Sequence, residues 1–256
     1  METIDVRGAP LAVHTLGTGK PLLYLHAEHF LPARTLPHLE MLARHHRVIV
    51  PRHPGFAPDP APAGIRTIDD LAYLYLDLLE TLDLRDVTLV GASLGGWIAL
   101  EMCVRNATRI GRLALVGSVG VKFGAPADRD LADAFYLPEQ ELQARLYADP
   151  TRFAPRFDTM PEEAVVAYAR ERQALAQYGW RPYLHNPGLK RWLHRVTVPT
   201  LVLWGEQDGF APPDYGRALA ASLPAATFAT IPGAGHYPHI EQPEAVTRAL
   251  EQFAAG

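Results

Sequence analysis

The run Gly91-Ala92-Ser93-Leu94-Gly95-Gly96 sets one serine among small residues, between the apolar segment DVTLV and a second apolar segment that begins at Trp97. A strand ending there and a helix starting there meet in a sharp turn. Glycines stand two residues before and two after the serine, where a side chain has no room. Ser93 would then sit at the carboxyl edge of a sheet, its hydroxyl at a helix N-terminus whose dipole favours developing negative charge. A serine nucleophile needs a base, and the base needs an acid to orient it. VLWGEQD ends a strand at Asp208, with Glu206 as a nearby rival, and PGAGH carries His236 on a glycine-rich loop after the next strand. His239 lies three residues on but lacks the preceding Gly-x-Gly. Ser93, Asp208 and His236 fall at loops on one edge of the sheet, where open α/β sheets place their sites.

These loops require a sheet to hang from. Ile4–Arg7, Leu11–Leu16, Pro21–His26, Arg47–Pro51, Asp86–Val90, Arg112–Val116, Thr200–Trp204 and Thr227–Ile231 read as strands, most of them compact apolar runs. Helices are expected over Leu36–Arg44, after a capping box at Thr67-Ile68-Asp69-Asp70, over Trp97–Arg105 and over Pro243–Phe253. Buried strands alternating with helices predict an α/β fold with a mostly parallel twisted sheet covered by helices on both faces. Between Val121 and Arg195 the rhythm breaks. Asp130–Phe135, Pro138–Tyr147 and Pro161–Gln177 have helical patterns with no strand between them, in a stretch rich in aromatic residues. The expected organisation is a core domain of residues 1–120 and 196–256 with a helical cap, or lid, inserted at 121–195. Its rings either fill the insertion's own small core or line a pocket facing the main domain.

The 256 residues are 48% hydrophobic and 20% charged with a net charge of −4, which fits a globular enzyme and gives no reason to expect nucleic acid or an anionic membrane as partner. A small-molecule substrate is expected, for a monomer or homodimer. One cysteine, Cys103, excludes an internal disulfide and reads as buried and inert. METIDVRGAP has no apolar signal region and no run approaches 18 apolar residues, so a reducing, cytoplasmic setting is the expectation. His14, His38, His185 and His194 have no partner pattern and read as surface residues, and His45 and His46 as a solvated turn.

The segments LLYLH, VIVPRHPGFA, VGASLGGWIAL, TLVLWGEQD and IPGAGHYPHIEQP, in this order and spacing, resemble the α/β-hydrolase fold family over almost the whole chain. The resemblance implies a serine hydrolase with Ser93 as nucleophile, Asp208 as acid, His236 as base and 121–195 as the cap. Gly117-Ser118 follows RLALV, where some members keep their acid, which favours Asp208. Backbone N–H groups would hold the oxyanion, one of them from Leu94, the residue after the nucleophile. The second is implied for Glu28. In LYLHAEHFLP, His26 matches the histidine that supports the oxyanion loop in the family, and Ala27 stands where relatives carry glycine. The H-x-x-H spacing of His26 and His29 lacks further ligands, so no metal is expected, and the mechanism requires no organic cofactor. The Glu28 side chain either turns away, leaving only its N–H in use, or enters the pocket to meet a substrate polar group or a cap arginine. Candidate pocket residues are His29, Trp97, Phe135, Tyr136, Trp180 and Tyr237.

The leading functional expectation is a carboxylesterase-like enzyme cleaving an ester of a small to medium apolar or aromatic substrate through an acyl-enzyme. A C–C bond hydrolase of aromatic ring-fission products is the alternative. It would need a cap arginine such as Arg172 for a substrate carboxylate, and Tyr237 stands where those relatives carry tryptophan. A haloalkane or epoxide reaction would need aspartate at residue 93. A non-catalytic ligand receptor on the same fold is the alternative of another class.

Overall fold

The computed structural model describes residues 1–28, 32–56 and 60–255. Eight strands form one sheet: β1 (Glu2–Val6), β2 (Ala9–Leu16), β3 (Lys20–Leu25), β4 (His46–Pro51), β5 (Val87–Ala92), β6 (Ile110–Val116), β7 (Thr200–Gly205) and β8 (Ala226–Ile231). Their order across the sheet is β1-β2-β4-β3-β5-β6-β7-β8. The β1–β2 and β2–β4 pairs are antiparallel and the rest are parallel. The apolar runs explain the middle of this order. Every residue of β5 and β7 is buried, as strands covered on both faces require. From β3 the chain steps outward to β4, then returns to lay β5 on the other side of β3. The crevice at that reversal is where open α/β sheets bind ligands.

The helices are α1 (Pro32–Leu42), α2 (Ile68–Thr81), α3 (Leu94–Arg105), α4 (Glu139–Leu146), α5 (Pro150–Phe153), α6 (Glu162–Gly179), α7 (Pro213–Ala221), α8 (Pro238–Glu241) and α9 (Pro243–Ala255). The expected capping box starts α2. Thr67 Oγ1 accepts from the Asp70 N–H at 3.1 Å, and the Asp70 carboxylate accepts from the Thr67 N–H at 2.9 Å. Between β6 and β7 come α4, α5, α6 and a 3-10 helix over Leu189–Arg195.

The helix expected over Asp130–Phe135 is absent. Side-chain carboxylates capture the backbone there instead. Asp130 accepts from the N–H groups of Phe123 and Gly124 and from Lys122 Nζ, and Asp133 accepts from the N–H groups of Phe135 and Tyr136. Such local bonds compete with the helical ladder and leave turns. Two histidine expectations also fail. His46 is a buried residue that opens β4, and His38 is fully buried in α1, its ring 5.1 Å from Tyr24 and 5.3 Å from His239. Cys103 is buried in α3, and burial pushes its thiol up to about 12. No helix among the described residues is long and apolar enough to cross a membrane.

α3 is buried nearly all round, yet it carries Glu101 at 1% exposure. Glu101 accepts from Trp97 Nε1 at 3.2 Å, from Asn186 Nδ2 at 2.8 Å and from Arg105. It ties the helix that follows Ser93 to the segment that returns toward β7. Removing one partner of a buried ionic cluster strands the others. Glu101→Ala is expected to lower stability by about 3 kcal/mol, read as the shift in urea midpoint at constant slope.

Candidate active site

Ser93 stands between β5 and α3 with φ 45° and ψ −111°, a conformation that L-residues rarely adopt. Its neighbours hold it there. The Ser93 N–H donates to the Val116 carbonyl at 2.9 Å, and its own carbonyl accepts from the Gly96 N–H at 3.0 Å. The first turn of α3 lies directly against the end of β3. A Cβ at Gly95 would meet the Leu25 carbonyl oxygen at 2.1 Å, so only glycine lets the nucleophile turn and the loop after β3 approach so closely. This sets the residue after Leu94 against Leu25 and His26.

His236 follows β8, and its Nε2 lies 2.8 Å from Ser93 Oγ. Its Nδ1 lies 2.8 Å from Asp208 Oδ2. The other carboxylate oxygen, Oδ1, accepts from the N–H groups of Phe210 at 2.9 Å and Ala211 at 2.8 Å. An ionised carboxylate only accepts, so Nδ1 carries the proton and Nε2 is left to accept from the serine hydroxyl. Burial pulls the His236 pKa down, but the charge and hydrogen bond of Asp208, with a smaller push from Glu28, outweigh it and the net shift is upward. Glu206 is exposed and lies outside this chain of bonds. His239 packs against Tyr24 and His38, and burial drives it down to about 3.

The loop carrying His236 is fastened to the helical segment. The His236 N–H donates to the Leu146 carbonyl at 2.7 Å. Glu241, at 5% exposure, accepts from the N–H groups of Gly235, Ala148 and Asp149. After β6, a Cβ at residue 117 would stand 2.7 Å from the His236 carbonyl oxygen, which accounts for Gly117 at that position.

A second network supports the loop after β3. His26 Nε2 accepts from the His53 N–H at 2.9 Å, so Nδ1 is its protonated nitrogen and donates to the Ala27 carbonyl at 2.5 Å. His53 Nε2 donates to the His26 carbonyl at 2.9 Å, which leaves His53 Nδ1 to accept from the Tyr75 hydroxyl at 2.5 Å. The two rings stack at 3.7 Å. These tautomers are assigned from the bonding pattern. Burial lowers His53 to about 4. Both nitrogens of His26 are thus engaged in hydrogen bonds, a structural role instead of a metal ligand's. Ala27 is not among the residues with positive φ, so the loop needs no glycine there.

Glu28 turns inward, against the reading in which only its N–H matters. It is 6% exposed, and its Oε1 accepts from the hydroxyl of Tyr237. Tyr237 is fully buried beside His236, with ring centroids 5.1 Å apart. The other expected pocket residues scatter. His29 lies outside the described residues. Trp97 is core, its ring against Gly120 and its Nε1 on Glu101. Phe135 is half-buried against Trp180 and Tyr183. Tyr136 and Trp180 are 79% and 61% exposed. A cavity of about 500 Å³, lined by Val121, Lys122, Asp130, Tyr183 and His185 among others, lies apart from Ser93 and His236. Sequence reasoning missed His53, Tyr75 and Glu241. The HPGF stretch held the only cue to His53, because a histidine's partners are set by the tertiary fold.

A sequence profile of the alpha/beta hydrolase fold matches residues 20–243. The chain is 27% identical to the 2-hydroxy-6-oxo-2,4-heptadienoate hydrolase of Pseudomonas putida, over 97% of this chain and 94% of that protein. A thermophilic esterase from Thermogutta terrifontis superposes with a TM-score of 0.73 at 27% identity, covering 99% of this chain and 96% of that one. A meta-cleavage product hydrolase from Pseudomonas fluorescens does so with a TM-score of 0.80 at 19% identity, covering 99% and 97%.

The buried histidines set the acid response. His53 and His239 are depressed to about 4 and about 3, while an unfolded chain protonates near pH 6.5. The unfolded state binds the extra protons, so the stability these groups contribute is present above pH 6.5 and is lost as pH falls from 6.5 to the folded values near 4 and 3. The loss is of the order of 3–5 kcal/mol for each. His236, shifted upward, acts with the opposite sign: its contribution is present below pH 6.5 and fades as pH rises through its folded pKa. Urea unfolding between pH 7.5 and 4 is expected to show a steep fall in stability. His239→Phe, which keeps the packing, should flatten it.

Proposed function

Because the chain belongs to the alpha/beta hydrolase fold family, we propose that this serine hydrolase is a carboxylic ester hydrolase acting on small to medium apolar or aromatic esters through an acyl-enzyme. The observation that carries the reading is the directed chain of hydrogen bonds from Asp208 through His236 to Ser93, with the histidine tautomer already correct for a base. Ser93 Oγ attacks the ester carbonyl as its proton passes to His236 Nε2. Asp208 stabilises the imidazolium. The N–H groups of Leu94 and Glu28 receive the oxyanion, a role supported by the contact between the start of α3 and the loop after β3. His236 returns the proton to the leaving alkoxide, and water, activated by the same base, releases the acid. Residues 121–195 act as the cap over this site, and residues 1–120 and 196–256 as its core.

C–C bond hydrolysis is the second reading, favoured by the likeness to the Pseudomonas putida hydrolase. Against it, one arm of the Arg172 guanidinium donates to the Ala134 carbonyl at 2.6 Å, and Tyr237 follows the histidine.

A panel of short-chain p-nitrophenyl esters and ring-fission products, with Ser93→Ala as the blank, separates the two. Turnover of the esters at pH 8 is expected, and Asp208→Asn should lower kcat by about 10⁴-fold. The acid limb of kcat/KM should lie above the ordinary histidine value, because Asp208 outweighs burial at His236. Loss of ring-fission absorbance without ester turnover would replace the ester reading by the second one.

A further inference from the structure

Glu28 and Tyr237 are 209 residues apart in the chain, yet the hydroxyl of Tyr237 donates to the Glu28 carboxylate inside the protein. Each belongs to a different part of the machinery. Glu28 is the second residue after His26 in the loop that follows β3, and Tyr237 is the residue after the base. Neither is on the surface, at 6% and 1% exposure. The Tyr237 ring is held on two further sides, by Tyr147 at 5.3 Å and by His239 at 6.0 Å. Burial, reinforced by the Glu28 charge, raises the phenol well above its ordinary value, so the hydroxyl keeps its proton and acts as the donor. A hydrogen bond to a carboxylate away from water is among the strong ones.

The consequence is geometric. Catalysis by Ser93 needs two loops in register: the one that receives the oxyanion and the one that carries His236. Each is fixed separately, the first by His53 and Tyr75 and the second by Glu241 and Leu146. The Tyr237–Glu28 bond runs from one loop to the other. We propose that Glu28 and Tyr237 form a positioning pair that locks the oxyanion loop to the histidine loop and so sets the distance between the base and the oxyanion donors. The pair acts through His236 and the loop backbone and does not touch the bond that is cleaved. This rests on the hydrolase reading above.

The test is the rate at which a small alkyl fluorophosphonate labels Ser93, which needs no knowledge of the substrate, together with kcat and KM for a p-nitrophenyl ester. Tyr237→Phe removes the donor and leaves the carboxylate buried, so it is destabilising as well as slow. Glu28→Leu combined with Tyr237→Phe removes both polar partners, which is close to neutral for stability. The double variant is expected to unfold near the wild-type urea midpoint yet to label roughly tenfold more slowly, with kcat lowered to match and KM within about twofold. Glu28→Gln keeps an acceptor for the hydroxyl and should label faster than the double variant. Labelling of the double variant at the wild-type rate would overturn the pair's role. So would a loss carried wholly by KM, or one that follows the unfolded fraction. Wild-type protein whose Ser93 takes no label would overturn the hydrolase reading instead, and the pair's role with it.

Discussion

The carboxyl edge of the sheet is arranged around a carboxylate that water does not reach. Asp208 and its partner His236 both have fully buried side chains. A charge in such a place is tolerated only where donors surround it. The loop after β7 therefore folds back to present the N–H groups of Phe210 and Ala211 to one oxygen, and the imidazole presents Nδ1–H to the other. Once Nδ1 holds the proton, Nε2 is the acceptor and must face a hydroxyl. Once that hydroxyl is Ser93, the residue has to be lifted into a positive-φ turn, and the helix behind it pressed on the end of β3. The strain at Ser93, of the order of 1–3 kcal/mol, persists because the surrounding bonds over-determine the turn.

The same burial acts on three histidines with different results. His53 and His239 are driven down, while His236 ends above its ordinary value. Desolvation is the largest influence on each, so what decides the sign is a carboxylate within hydrogen-bond reach, which only His236 has. The division suits the structure. A neutral His53 can accept from Tyr75 and donate to the His26 carbonyl at once, and protonation would remove the acceptor. A His236 able to carry charge is what a proton-accepting base requires. One edge of the sheet thus holds a neutral His53 beneath the loop after β3 and a chargeable imidazole at His236.

The sheet was legible because its strands are apolar runs of the right length, and each expected strand is present with ends moved by one or two residues. Ser93 and His236 stood out because glycines mark the turns that present them, and Asp208 because it follows the end of an apolar strand. The helical stretch between β6 and β7 was legible only in outline. At Asp130 and Asp133 the spacing of apolar residues suits a helix, but two short carboxylates take the N–H groups first, and hydropathy does not register that competition. The short α5 and α8 were hidden for another reason: each has four residues, too few for a period to show. His38 carries no sequence mark of burial either, since its environment is made by Tyr24 and His239 from distant parts of the chain.

Glu28 is the feature that the rest of the site does not explain by itself. The proposed acyl transfer to Ser93 would develop two charges together, negative on the substrate oxygen and positive on His236. A carboxylate near both opposes the first and favours the second. The Glu28 charge acts on His236 in the direction that raises its pKa, and Tyr237 holds the carboxylate by its hydroxyl beside that ring. In the proposed reaction, a carboxylate held beside the histidine would favour the imidazolium and leave the oxyanion to uncharged backbone donors. That division demands that the N–H groups be well placed, because the local field gives them no help. Buried hydrogen bonds hold this loop, with the Ala27 carbonyl and both nitrogens of His26 engaged.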